Sequence, residues 1–279
     1  MPRFRDPEFN IIQENSTVRL SIPSSQLKNI KDNVIDHLGI YLTASKDSVV
    51  TFNILRLQQL KKSHEGRISI TFDDGHISNL KAAMAMKIYN MKATAYIIPK
   101  SIGDKDYINW ANIKEMQKAG WSISTHMTTP LTHIDINKLE KRLQQNKQKI
   151  ARKSMDKGRS SKHFALPLGK HNGEVIKVLK KVFESNRLAA GGVESLPPAD
   201  FYRIKTINVL DSTSPEELFQ LAKSAVAHKE WAIFMFHYLD KPERKELNYS
   251  LNNYKKFIKL IAPLNKSIKT VDEVITEVK

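Results

Sequence analysis

The stretch Ile68-Ser-Ile-Thr-Phe-Asp-Asp-Gly75 decides the fold. Five apolar and β-branched or small residues stop abruptly at two carboxylates and a glycine, which predicts a buried strand ending in a turn. Downstream, Leu80 to Asn90 is rich in Ala and Met and predicts a helix, and Ala93 to Ile98 predicts a second strand. Trp110 to Ala119 is a helix closed by Gly120, and Trp121 to Thr125 is a third strand. The alternation goes on through the strand Phe164-Ala-Leu166, the helix Glu174 to Phe183, the strand Tyr202 to Val209, the helix Pro215 to His228 and the strand Trp231 to Phe236. Tyr254 to Leu264 is helical, and Lys269 to Val278 closes the chain. Upstream, Val49 to Lys62 has a helix-like pattern, while residues 1–48 read as an irregular N-terminal extension with one short strand candidate, Thr17 to Ile22. Regular β–α alternation predicts a parallel α/β barrel or sheet over residues 49–279. In such folds the chemistry gathers at the C-terminal ends of the strands.

Composition narrows the classes. With 279 residues, 41% of them hydrophobic, the chain can bury a core of its own. It has no cysteine, which excludes disulfides, thiolate metal sites and cysteine nucleophiles, and leaves the redox compartment open. The longest apolar runs, such as Trp231 to Phe236, are too short to span a bilayer. The N-terminal MPRFRDPEFNIIQEN has no apolar core of a secretory signal, so a cytoplasmic location, near a membrane surface, is expected.

Lys and Arg number 45 against 29 Asp and Glu, a net charge of +16 that invites a polyanionic partner. Half of the excess lies between Lys138 and Lys162, where ten basic residues face two acids. Ile136, Leu139, Leu143 and Ile150 make an apolar stripe there, so the segment reads as a helix with a solvated basic face. No aromatic RNA-binding motif, zinc-finger spacing or basic zipper accompanies it, and nucleic acid is therefore not the expected partner.

Polar residues follow the strands where chemistry is expected: Asp73 and Asp74 after the first, His126 after the third and His237 after the last. Adjacent carboxylates suit a divided role, one holding a divalent metal and the other taking a proton from water. A histidine opposite can protonate a leaving amine because it titrates near neutral pH. Taken alone, Asp73-Asp74-Gly75 is at least equally a simple turn, and His237 more often a structural histidine beside Phe236 and Tyr238.

ISITFDDG, KATAYIIPKSIG and INWANIKEMQKAGWSISTH together resemble the polysaccharide deacetylase family, carbohydrate esterase family four. FALPLGKHN, RIKTINV and FMFHYLD continue the order and are similar to the biofilm poly-N-acetylglucosamine deacetylase branch. The resemblance runs from about Val49 to about Leu264. It implies a distorted (β/α)7 barrel, a divalent metal (most often Zn2+) and hydrolysis of an acetyl group from a sugar. Residue by residue, it makes Asp73 the general base, Asp74 and His126 metal ligands, and His237 the general acid. Leu168, beside Pro167, takes the position whose backbone N–H helps hold the oxyanion. The implied substrate is an amino-sugar glycan of a surface polysaccharide, capsule or lipopolysaccharide, or its precursor, with the positive charge suiting an acidic or lipid-linked form.

Two departures from the family pattern matter. Pro130 stands where the second metal histidine belongs, and His133 is the nearest substitute, either a ligand or an exposed loop residue. FALPLG also lacks the family arginine that pairs with the base, and Arg203 is the available replacement, with a surface salt bridge as its other reading. The rivals are a sugar deformylase or other C–N amidohydrolase with the same residues, and a catalytically weakened homologue that only binds glycan.

Overall fold

A computed structural model of the chain describes residues 63–155 and 161–279. The N-terminal extension, the strand candidate Thr17 to Ile22 and the helix candidate Val49 to Lys62 lie outside the described residues. Seven parallel strands form a closed barrel: β1 (Arg67–Phe72), β2 (Thr94–Ile97), β3 (Ser122–Thr125), β4 (His163–Ala165), β5 (Ser185–Gly191), β6 (Ile204–Asn208) and β7 (Trp231–Phe236). The ring shuts where β7 pairs with β1 in unbroken register, from Arg67 opposite Trp231 to Phe72 opposite Phe236. Parallel neighbours need crossover connections, and helices supply five of the six: α1 (Asn79–Lys87), α2 (Trp110–Lys118), α3 (Ile136–Lys153), α4 (Gly173–Val182) and α5 (Pro215–His228), while β5 runs to β6 without one. After β7 come a two-stranded ladder, β8 (Tyr238–Leu239) with β9 (Asn248–Tyr249), and the helices α6 (Leu251–Ile261) and α7 (Val271–Val278).

The expected barrel is present, with one barrel strand more than the sequence pattern indicated. Ser185 to Gly191 forms β5, a strand poor in β-branched residues that buries Ser185, Asn186 and Arg187. The stripe on α3 behaves as its spacing requires, with Leu139, Leu143 and Ile150 buried beneath an exposed basic face. Local start signals agree with the fold: Asn109, Ser214 and Thr270 each close a capping box at a helix N-terminus.

The strands are buried on both faces, as a barrel covered by helices demands. Phe72 stacks on Phe236 at 5.5 Å and on Trp121 at 5.4 Å, with Tyr254 edge-on. This places an aromatic cluster immediately behind the last residue of β1, on which the Asp73-Asp74 turn rests. The opposite rim is sealed by the chain's end. Ile268 bridges to Ile68, Lys269 N–H donates to the Ile68 carbonyl, and Val271 N–H donates to Thr94 Oγ1. Val271, Val274 and Ile275 then pack on Trp231 and Ile233, while Asp272 pairs with His163 and Glu277 with Arg67.

Gly66, just before β1, lies directly against α5. A Cβ there would sit 2.5 Å from Val226 Cα and 2.6 Å from the Ala225 carbonyl, both backbone atoms. Gly66→Ala should therefore cost about 1–3 kcal/mol, the usual penalty for overpacking, in urea unfolding of the purified protein. An unchanged midpoint would show that α5 can shift without loss.

Candidate active site

Asp73 follows β1 and is almost fully buried, its backbone N–H donating to the Phe236 carbonyl. Its Oδ1 accepts from Arg187 Nη2 in an ion pair buried on both sides. Arg187 comes from the middle of β5. Its Nη1 donates to the Leu188 carbonyl at 3.1 Å and contacts Met235 Sδ at 3.0 Å, and the guanidinium lies 4.5 Å from the centre of the Tyr96 ring. A charge taken out of water this completely requires a partner, and each of the two is the other's.

Arg203, expected to play this part, does not. It donates to Asp200 Oδ2 at 2.7 Å and, through Nε, to His171 Nε2 at 3.3 Å. The physical reason is position: Arg187 is inside the ring on β5, whereas Arg203 precedes β6 and its fork is already satisfied. The sequence signal that would have found Arg187 is a lone arginine in an uncharged run, Ser185-Asn-Arg-Leu-Ala-Ala-Gly191.

Asp74 has φ of 69°, a left-handed conformation that aspartate tolerates better than most residues and that turns its carboxylate away from Asp73. Its Oδ2 accepts from the Tyr238 hydroxyl at 3.1 Å, and burial beside this carboxylate raises the phenol's pKa so that it stays a donor. Its Oδ1 lies 3.5 Å from His126 Nε2. His126 Nδ1 is 2.8 Å from the Ala165 carbonyl, which can only accept. The ring proton therefore belongs on Nδ1, and Nε2 faces Asp74. Two electron-pair donors facing across this gap suit a shared cation. Ligands about 2.0–2.2 Å from one ion in tetrahedral array stand roughly that far apart.

The third expected ligand is not there. Pro130 opens a short turn in which Leu131 is buried in the core beside Leu139 and Leu143, and His133, two residues on, is exposed. Among the described residues no three His, Asp or Glu side chains come together as a metal cluster. His76 is buried but turns away, its Nδ1 accepting from Ser78 N–H, with the ring edge-on to Tyr238 and Tyr107. His163 is tied to Ser185 and Asp272.

His237 follows β7, where its carbonyl accepts from Asn79 Nδ2 at 2.9 Å. Its Nδ1 is buried with no hydrogen-bond partner among the described residues. Burial lowers its pKa, with Arg187 and His126 adding to the effect and Asp73 and Asp74 opposing it. Leu168 sits in a tight turn after β4 with φ of 56° and its side chain exposed, an uncommon state for a branched residue. Asp73, Asp74, His126 and His237 thus converge at the rim formed by β1, β3 and β7, with Arg187 beneath them.

The architecture defines the class: a closed seven-stranded (β/α) barrel with acidic and histidine residues at the strand ends has the fold of the family-four carbohydrate esterases. The family-four esterase domain of a multidomain xylanase from the hindgut metagenome of Trinervitermes trinervoides superposes with a TM-score of 0.56 at 15% identity, over 77% of this chain and 91% of that domain. A family 4 acetyl xylan esterase from Clostridium thermocellum, solved with a cobalt ion, superposes with a TM-score of 0.52 at 17% identity, over 75% and 90%. Residues 60–182 match the polysaccharide deacetylase family model. The candidate polysaccharide deacetylase YxkH of Bacillus subtilis (strain 168) is 35% identical over 130 residues, 46% of each protein. The chain thus spans about half the length of that relative in the match, and these findings together support the polysaccharide deacetylase family.

Arg187→Met should cost about 3–5 kcal/mol in urea unfolding, because it strands a buried carboxylate, and Asp73→Asn in the same chain should recover part of the loss. Additive losses would show that the two side chains are not energetically paired. Burial also lowers the pKa of His76 and His171, as it does for His237. The unfolded chain then takes up protons first as pH falls below about 6.5, so this contribution to stability is full above that value and drains away beneath it. The urea midpoint should drop between pH 7.5 and 5.5, and a rise would contradict the assignment.

Proposed function

We propose that this chain hydrolyses the N-acetyl amide of an amino-sugar glycan, with poly-N-acetylglucosamine or a related surface polysaccharide as the substrate class. The observation that carries the reading is His126 Nε2 facing Asp74 Oδ1 at 3.5 Å, beside the buried pair of Asp73 and Arg187. Asp74 and His126 would hold a divalent cation, zinc in the first instance, which when bound supplies Lewis acidity and a water that ionises near neutral pH.

The chain's own groups do the rest. Asp73, fixed by Arg187, takes the proton of the attacking water at a carboxylate oxygen. The Leu168 N–H would stabilise charge on the acyl oxygen. Water oxygen joins the acyl carbon, the carbon–nitrogen bond breaks, and the nitrogen leaves as an amine carrying a proton from His237. A pKa lowered by burial makes the protonated imidazole a stronger acid toward that nitrogen. The positive charge suits an acidic or lipid-linked glycan.

A second reading, glycan binding without turnover, is favoured by one observation: His133 is exposed and Asp74 with His126 supplies only two donors. Acetate release from N-acetylglucosamine oligomers separates the two. Asp73→Asn and His237→Ala should each lower the rate by about 10²–10⁴, the usual worth of a proton-transfer residue. Asp74→Ala should abolish metal content in the purified protein. Near-normal turnover in both proton-transfer variants would end the hydrolase reading, and metal-free protein that still binds oligomer would establish the second.

A further inference from the structure

We propose that the face formed by α1 and α6 docks on an anionic lipid membrane surface. Met84 of α1 is 65% and Ile88, the residue that caps its C-terminus in helical conformation, 77% exposed, and they lie one turn apart on the same side. Ile88 and Tyr89 line a shallow groove of about 270 Å³ whose far wall is Lys255, Lys256 and Lys259 of α6. The residues from Asn79 to Lys92 and from Leu251 to Ile268 include no Asp or Glu. Lys81 and Lys92 have partners on other elements, Asp240 and Glu273. Lys87, Lys255, Lys256, Lys259 and Lys266 make no ion pair within the described residues. The face therefore combines projecting apolar side chains with cations that have no ion-pair partner among the described residues.

That combination selects the occupant. A soluble acidic glycan would answer the lysines and leave Met84 and Ile88 in water. An apolar protein surface would cover those two and desolvate the ammonium groups without a counter-charge. A bilayer with anionic headgroups serves both, because the apolar tips enter the boundary of the acyl region while the lysine stems lie along it with their heads at the phosphates. Each lysine near such a surface strengthens partitioning by about fivefold. The helix that docks is also the one that abuts the candidate site, since Asn79 at its first turn holds the His237 carbonyl.

The test uses the full chain in co-sedimentation with vesicles of phosphatidylcholine alone or mixed with phosphatidylglycerol. Binding to the mixed vesicles should be at least about tenfold tighter than to pure phosphatidylcholine. K255E/K256E/K259E should weaken it about 100-fold or more. M84S/I88S should weaken it about tenfold, with unchanged circular dichroism. K141E/R142E/K149E, the same charge change on the exposed face of α3, should leave binding within about threefold, because charges beyond the screening length contribute little. Equal loss from the α3 variant, or no loss from M84S/I88S, would reduce the effect to bulk positive charge and overturn the proposal. So would a wild-type dimer in solution that M84S/I88S dissociates, since a second copy would then be the occupant.

Discussion

The buried ion pair between Asp73 and Arg187 is the constraint around which the site is built. Among the described residues neither charge has another ion-pair partner, and both are almost wholly out of water. Each therefore fixes the other, and since they come from β1 and β5 the pair also fixes the spacing across the barrel. Asp74 is adjacent in sequence but opposite in role, because its left-handed backbone swings its carboxylate toward His126 and Tyr238. Two neighbouring carboxylates are thereby given different environments without any insertion between them. One is dry and paired with a guanidinium, and the other faces His126 and Tyr238.

The supporting shell is as specific as the site. The Ala165 carbonyl decides which nitrogen of His126 faces Asp74. The Tyr238 hydroxyl holds the second oxygen of Asp74, and Tyr238 in turn packs against His76 and under Arg244. Such partners keep a carboxylate and an imidazole aimed at one point, which a metal site needs before any ion arrives. The weak side of the shell is the turn after Pro130, which commits Leu131 to the core and leaves His133 in solvent.

How much of this was legible in the sequence differs residue by residue. Asp73, Asp74, His126 and His237 stood out because each follows an apolar run that is plainly a strand, and strand ends are where polar residues have work to do. Arg187 was hidden because β5 does not look like a strand: Ser185, Asn186 and Arg187 are buried inside the ring, where polar residues are held by tertiary partners rather than by pattern. Arg203 was a reasonable alternative by position in the chain, but Asp200, three residues before it, had already claimed its guanidinium. His133 shows the limit of spacing as a guide. A three-residue count cannot tell which side of a turn faces a metal, because that depends on which neighbour the core demands, and the core demanded Leu131.

The seam between β7 and β1 has a further consequence when the chain is considered as something made from one end to the other. The first strand of the ring must wait for the last, roughly 160 residues later, before it has a neighbour on that side, and a long loop of chain must be closed to bring them together. The segment from Ile268 onward, which caps Ile68 and Thr94, is later still. On a ribosome the barrel stays an open sheet with two bare edges until β7 has emerged, so protection of those edges during synthesis must come from outside the ring.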